Sequence, residues 1–455
     1  MSESEAWNLC VDFGTAYSKA AAAPSNAWTH FQPESVRPLM VGAAAGSTNA
    51  FLLDSAVFVD DQNVLFGPDA VRRAEQLETK KRQALRSFKT LLSAPDLERA
   101  LNTSATHSID PHRAFRLRDL IVLYLAFLAR SVDRAVAADP ALASAQGRFN
   151  RRYASPAWRG GGGPSPHAVV VGLFAEAQAV QAILGDDLFA QGGVPIGAAQ
   201  SALLAAGTAE EMRSWRMGMM FEATAAAAYS SIGLESSADH LIVVDMGAGT
   251  TDIAALARAD AALEELKGAR VTLTRAGDFI DRLLLNLAIE GAPSLKTPAQ
   301  QAELWRSLTH SIRDIKESLF NDKRAAIHHN GRTIVIALKD LERDKDFKQF
   351  IKMLAQAYEH GLDVVIDRAA NDGERQVDAI AVGGGAAAPF IQDMLKRKSK
   401  SGKLRVAPRP ATPDWAHSPV FGGNLAPIFP QLAISIGGAL APASMLAAQP
   451  SPSFS

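Results

Sequence analysis

The chain has almost no cysteine. Cys10 stands alone among 455 residues, which excludes an intrachain disulfide and any metal cluster built on thiolates. Such usage fits a reducing compartment. A charge of one sign is also missing: 47 basic residues against 48 acidic leave a net charge of −1. The whole chain therefore offers no electrostatic footprint for nucleic acid or for an acidic membrane surface. The opening MSESEAWNL lacks the basic and then apolar order of a secretory leader, so the expected location is the cytoplasm. Long uncharged runs are few. Residues 425–449 carry no charge and could span a bilayer of about 30 Å. They contain Pro427, Pro430, Pro442 and the pair Gly437 and Gly438, with no basic anchor after them. A buried helix ending near Pro442 is the better reading, and no membrane partner is expected.

What is present is the composition of a folded protein, 47% apolar and 21% charged. The length predicts about two to four domains or subdomains. Strand-like runs fall at 8–11, 18–23, 56–59, 168–173, 241–244, 253–257, 271–275, 333–338 and 379–382. Helical periodicity covers 70–92, 118–138, 176–183, 210–231, 279–290, 300–319, 341–370 and 389–396. This alternation predicts an α/β protein. Residues 147–167 interleave Arg148, Arg151, Arg152 and Arg159 with Phe149, Tyr153 and Trp158, a pattern that can stack on single-stranded nucleic acid. Its Gly and Pro content reads better as a surface loop between a helix and a strand, so nucleic acid is not an expected partner. Residues 446–455 read as a disordered tail.

Two segments share a design, VDFGTAYSK from Val11 and VDMGAGTTDI from Val244. Each sets an Asp at the end of an apolar strand, then a Gly-rich bend, then hydroxyl residues. Glycine lets backbone N–H groups approach phosphate oxygens where a Cβ would intrude, and permits positive φ. Asp12 and Asp245 are candidates to hold hydrated Mg²⁺, which prefers one or two carboxylates with water and phosphate oxygens. Gly14 and Thr15 are candidate phosphate donors, with Lys19 near the far end of the hairpin. The second copy is sharper: Asp245, Gly247, Gly249, Thr250 and Asp252 stand in a DxGxGTxD spacing that ordinary turns rarely meet. Either hairpin alone is explained by a Gly-stabilised turn; the pair predicts two similar halves forming a clamp. A third element runs a strand into Gly383, Gly384 and Gly385 and then a helix opened at Pro389, letting the main chain lie flat against a planar or phosphate-bearing ligand.

In this order the three segments resemble the phosphate-one, phosphate-two and adenosine motifs of the actin-like ATPase superfamily. The resemblance is closest to the heat shock protein 70 family. MMFEATAAAAYSS from Met219 is similar to that family's NEPTAAALAYG segment and puts Glu222 at its metal and water carboxylate. ALRSFKTLLS from Ala84 resembles the stretch bearing the catalytic lysine, which puts Lys89 there. RAGDFIDRLLLN from Arg275 resembles GGEDFDNRL, and SIRDIKESL from Ser311 resembles the helix that contacts adenine, with Lys316 matched. The resemblance runs from Asn8 to about Pro442.

It implies an actin-like ATPase fold of two lobes, each an RNase-H-like core with an inserted smaller subdomain. Lobe I would span 1–235 with its insertion at about 36–115, and lobe II 236–445 with its insertion at about 278–375. It also implies ATP and Mg²⁺ as ligands, slow ATP hydrolysis, and a conformational switch read by a protein partner or client. Lys89, Glu222, Asp245 and Asp252 would carry the chemistry. Gly14, Thr15, Gly247, Ala248, Gly249, Thr250, Lys316, Gly383, Gly384 and Gly385 would hold the nucleotide.

Departures from the family pattern accompany the match. Ala248 replaces a glycine beside the phosphates, Ala223 a proline that couples domains, and Glu317 an arginine that stacks on adenine. The family's linker and peptide-binding domain are not found in the sequence, so the expectation is a chaperone-like ATPase without its own peptide-binding domain. A filament-forming actin-like ATPase, a small-molecule kinase of the same superfamily and a nucleotide-binding pseudoenzyme are the alternatives.

Overall fold

The structure, a computed structural model, describes residues 6–77, 81–143, 145, 149–156, 166–207, 217–233, 238–259, 262–292, 297–309, 311–397, 404–421 and 425–447. The chain divides into two compact units. Unit 1 comprises Met1–Ser236, Asp414–Leu425 and Leu432–Ser455; unit 2 comprises Ser237–Pro413 and Ala426–Gln431. The expected second lobe ran from 236 to 445, whereas Asp414–Leu425 and the residues from Leu432 onward belong to unit 1. The cause is close approach. In the helix Phe429–Leu440, a Cβ on Gly437 would stand 1.8 Å from the Ala225 carbonyl oxygen, and one on Gly438 2.3 Å from Cys10 Sγ.

Unit 1 is built on a mixed sheet in the order Arg37–Pro38, Tyr17–Pro24, Trp7–Asp12, Phe149–Ser155, Gly218–Phe221. The first hairpin is antiparallel, and the last three strands run parallel. Parallel strands are covered on both faces, so Leu9, Cys10 and Val11 are buried in succession rather than alternately. The cover includes the 22-residue helix Leu117–Ala138 and the helix Pro166–Leu184, which pack on each other. Asp119 secures the first of these by accepting from the Arg116 N–H at 2.8 Å.

Unit 2 repeats the plan. Its sheet runs Ala262–Glu265, Thr251–Ala259, His240–Met246, Gln376–Val382, Arg405–Pro408, again with the first three strands antiparallel and the last three parallel. All seven residues of His240–Met246 are buried. The 27-residue helix Lys345–Asn371 packs on this sheet, and Asp344 caps it by accepting from the N–H groups of Asp346 and Phe347 at 2.8 and 2.9 Å.

Several elements differ from the sequence expectation. Residues 168–173 are not a strand but part of the helix Pro166–Leu184. A short Val-rich run suits a buried strand or a buried helix equally well, and its partners decide. The strand of this region is Phe149–Ser155, inside the expected loop 147–167. Tyr153 is buried there, Arg151 pairs with Asp133 at 2.8 Å, and Arg152 donates to the carbonyls of Gly438 and Ala441 at 3.1 and 2.5 Å. These residues serve the sheet and the end of the last helix rather than a nucleic-acid surface; Arg148, Trp158 and Arg159 lie outside the described residues, as does the tail from residue 448. The expected helix 210–231 contains the strand Gly218–Phe221 before the helix Glu222–Gly233. The expected helix 70–92 resolves into Gly67–Gln76 and Phe88–Leu92, with Leu85 bridged to Val57 between them.

Among the described residues one stretch, Pro166–Phe189, is long and apolar enough to cross a membrane by length and composition, and it is 67% buried inside the protein over its apolar window. The uncharged C-terminal run instead forms the expected buried helix, Phe429–Leu440.

Candidate functional site

In unit 1 the strand Trp7–Asp12 ends on Asp12, and the hairpin register sets Asp12 opposite Lys19. Lys19 Nζ lies 2.7 Å from Asp12 Oδ2. Lys89, in the five-residue helix Phe88–Leu92, puts its Nζ 3.3 Å from Asp12 Oδ1 and also donates to Glu222 Oε1. Glu222 opens its helix directly after the edge strand, which is how a residue 133 positions from Lys89 comes to meet it. Lys89 is therefore not the exposed lysine of an amphipathic helix. Burial by itself pushes the Asp12 carboxyl up, but the charges and hydrogen bonds of Lys19 and Lys89 outweigh it and hold the group below the ordinary carboxylate range.

The turn after Asp12 is held from behind by hydroxyls. Ser55 donates to the Gly14 carbonyl at 2.8 Å, Ser18 and Ser55 are 3.1 Å apart, and the buried Tyr124 donates to Ser18 at 2.9 Å. Glycine is needed at position 14 for space: a Cβ would stand 2.0 Å from the Tyr17 carbonyl oxygen. Positive φ, the other reason expected for these glycines, applies at none of Gly14, Gly247 and Gly249. Thr15 sits half-buried in the same turn.

In unit 2 the equivalent register sets Asp245 opposite Asp252. Asp252 accepts from Thr250 at 3.1 Å and from Thr272 on the neighbouring strand. The turn 247–250 closes through Gly247 N–H to the Thr250 carbonyl at 3.0 Å. Its carbonyls are tied back to the helix Gly277–Glu290, Gly247 accepting from Gly277 at 3.2 Å and Ala248 from Asp278 at 2.8 Å. Ala248 is not at positive φ, so the methyl that replaces glycine introduces no backbone strain. Lys316 reaches the same helix start, 2.7 Å from Asp281 Oδ1 and 3.4 Å from the Gly277 carbonyl. Burial pushes the Asp281 carboxyl up despite that ammonium.

The triple-glycine turn lies against this hairpin. Gly383 has φ +83° and would put a Cβ 2.5 Å from Asp245 Oδ1; Gly385 donates to the Met246 carbonyl at 2.9 Å and a Cβ there would strike the Met246 side chain. Gly384 has open space around its Cβ position. Unit 2 thus gathers Asp245, Gly247, Ala248, Gly249, Thr250, Asp252, Lys316, Gly383, Gly384 and Gly385 about one strand end, and unit 1 gathers Asp12, Gly14, Thr15, Lys89 and Glu222 about another.

Asp245 and Asp252 face each other across adjacent strands, a carboxylate pair whose oxygens are acceptors alone. Asp12, expected to hold Mg²⁺ with Asp245, has an ammonium on each oxygen instead. Among the described residues no group of three or more His, Cys, Asp or Glu converges as a metal site, so an ion there would take most ligands from water and phosphate. The residues missed from sequence are Ser55, Tyr124 and Thr272, which no local spacing marks. Lys19 did have a signal, standing seven residues after Asp12 as Asp252 stands after Asp245.

The geometry defines an α/β protein in which two sheets of one topology each end in an Asp-and-Gly hairpin. Residues 199–406, just under half of the chain, match the family model described as Hsp70 protein, and over this stretch the resemblance to the heat shock protein 70 family is shown. The match implies an ATP-binding ATPase domain of the chaperone type. No curated protein matches the chain.

Proposed function

We propose that this protein binds ATP and hydrolyses it slowly, and that the bound nucleotide sets a conformational switch read by a partner protein. The fold we propose is the actin-like ATPase fold with two lobes and an RNase-H-like core in each, supported by the shared strand order of the two sheets. The carrying observation is the convergence in unit 2 of the Asp245 and Asp252 pair, the 247–250 turn and the 383–385 turn, inside the stretch matched to the Hsp70 family.

Asp245 and Asp252 would hold a magnesium ion through water, and that ion would neutralise part of the phosphate charge. The 247–250 turn would position phosphates, and positioning is most of what phosphoryl transfer asks of a protein. Lys89 supplies positive charge to the γ-phosphate as its bond to the β-phosphate oxygen breaks. Glu222, already bonded to Lys89, orients the attacking water and accepts its proton while ADP leaves with the bond's electron pair. The 383–385 turn and Lys316 take the adenosine end.

Isothermal titration calorimetry with ATP and Mg²⁺ tests the assignment. Wild type is expected to bind, and Asp245→Ala to lose at least about tenfold in affinity. Equal binding by both refutes the site.

A further inference from the structure

The strand register of unit 2 lines up one row across its sheet. Thr272, in the strand Val271–Leu273, stands opposite Asp252, and Asp252 stands opposite Asp245. Directly paired residues of neighbouring strands point to the same face, so the row reads hydroxyl, carboxylate, carboxylate. Asp245 and Asp252 are 9% and 7% exposed, a setting in which water screens the repulsion between two carboxylates poorly. Under that repulsion alone the Asp252 carboxylate would turn about its Cβ–Cγ bond, away from Asp245. Hydroxyls from two different elements oppose the turn: Thr250 donates to Oδ2 from the glycine bend, and Thr272 donates to Oδ1 from the next strand. A donor on one oxygen leaves the plane of the group free to swing; donors on both oxygens fix it. Each oxygen has two lone pairs, so both keep acceptor capacity beyond the hydroxyl. The strand carrying Thr272 is itself tied down, because Thr251 pairs with Leu273 and donates its hydroxyl to the Arg275 carbonyl at 3.0 Å.

We infer that Thr272 is a positioning residue for the Asp245 and Asp252 pair, its hydroxyl holding the Asp252 carboxylate beside Asp245 so that the two can share one hydrated Mg²⁺. The inference rests on the nucleotide-binding reading above and adds to it a residue that acts only through Asp252. Thr272 is exposed and lies on a strand, so Val matches its shape and its strand preference and removes the hydroxyl alone.

The test is calorimetry of ADP binding to the whole chain, over a series of Mg²⁺ concentrations and in EDTA, for wild type, Thr272→Val and Thr272→Ser, with a thermal melt as the folding control. Thr272→Val is expected to raise by about tenfold the Mg²⁺ concentration that gives half of the cation-dependent gain in affinity, with ADP affinity in EDTA within about twofold of wild type. Thr272→Ser keeps the hydroxyl and is expected to return the Mg²⁺ midpoint to within about threefold of wild type. A Thr272→Val midpoint within about twofold of wild type overturns the inference. Equal losses in EDTA and in Mg²⁺ overturn it too, since they mark a general structural effect, and so does a Thr272→Ser midpoint no better than that of Thr272→Val. Should Thr272→Val not fold, Thr272→Ala is read by the same thresholds. Wild type that binds no ADP in any buffer overturns the nucleotide reading itself, whereas wild type that binds ADP equally with and without Mg²⁺ overturns the Thr272 inference and leaves nucleotide binding standing.

Discussion

Replacing Lys89 by Met keeps the length of the side chain and removes the ammonium that Asp12 and Glu222 share. Breaking a buried ion pair from one side typically costs 3–5 kcal/mol, and the 14% exposure of Lys89 lets water repay part of it, so the expected loss is about 2–4 kcal/mol. Glu222→Gln removes the charge from the opposite side and should cost less, because the amide oxygen still accepts. The two changes act on one contact and should not add: the double variant is expected to be more stable than the sum of the singles by about 1–3 kcal/mol. Calorimetric melting reads this directly, since Lys89→Met should lower the unit 1 transition by roughly 5–10 °C. In the same variant the ATPase rate is expected to fall by about 10²–10³. Additivity of the two substitutions within about 0.5 kcal/mol would refute the proposed coupling, whatever happened to activity.

Two further outcomes follow from the packing and the charges. The Asp12 carboxyl is held below its ordinary pKa, so its stabilising contribution is present above the unfolded value near 4 and is lost as pH falls through the depressed folded value. The urea midpoint of wild type should therefore drop as pH falls below about 4, and Lys19→Met should flatten that drop. Gly438→Ala places a methyl where Cys10 Sγ already stands, and overpacking of this kind should cost about 1–3 kcal/mol or more, seen as a lowered Tm with intact secondary structure by circular dichroism.

The site was legible in the sequence wherever its parts lie close along the chain. Asp245 to Asp252 is one hairpin, and a turn flanked by two strands fixes its own register, so spacing alone placed both carboxylates at one end. The 383–385 turn was equally local. Resemblance locates Lys89 and Glu222 but not their surroundings: the helical periodicity runs unbroken through both, whereas the first helix breaks before Lys89 and the second begins at Glu222. The arginines of Phe149–Ser155 read as a loop because charge in a central strand is rare unless each group finds a partner, and those partners, Asp133 and the carbonyls of Gly438 and Ala441, are far away in sequence.

By itself the sequence determined the α/β alternation, the duplicated Asp-and-Gly hairpin and the uncharged final helix, because each is a local pattern whose period or spacing is set by backbone geometry. Only the tertiary structure decided what those residues face. The hairpin register sets Lys19 opposite Asp12 and Asp252 opposite Asp245, so that one copy of the turn holds an ion pair and the other two carboxylates. Long-range packing brought Lys89 to Glu222 and laid Gly383 against Asp245. Electrostatics depends on distance through space, which the order of residues along a chain does not contain.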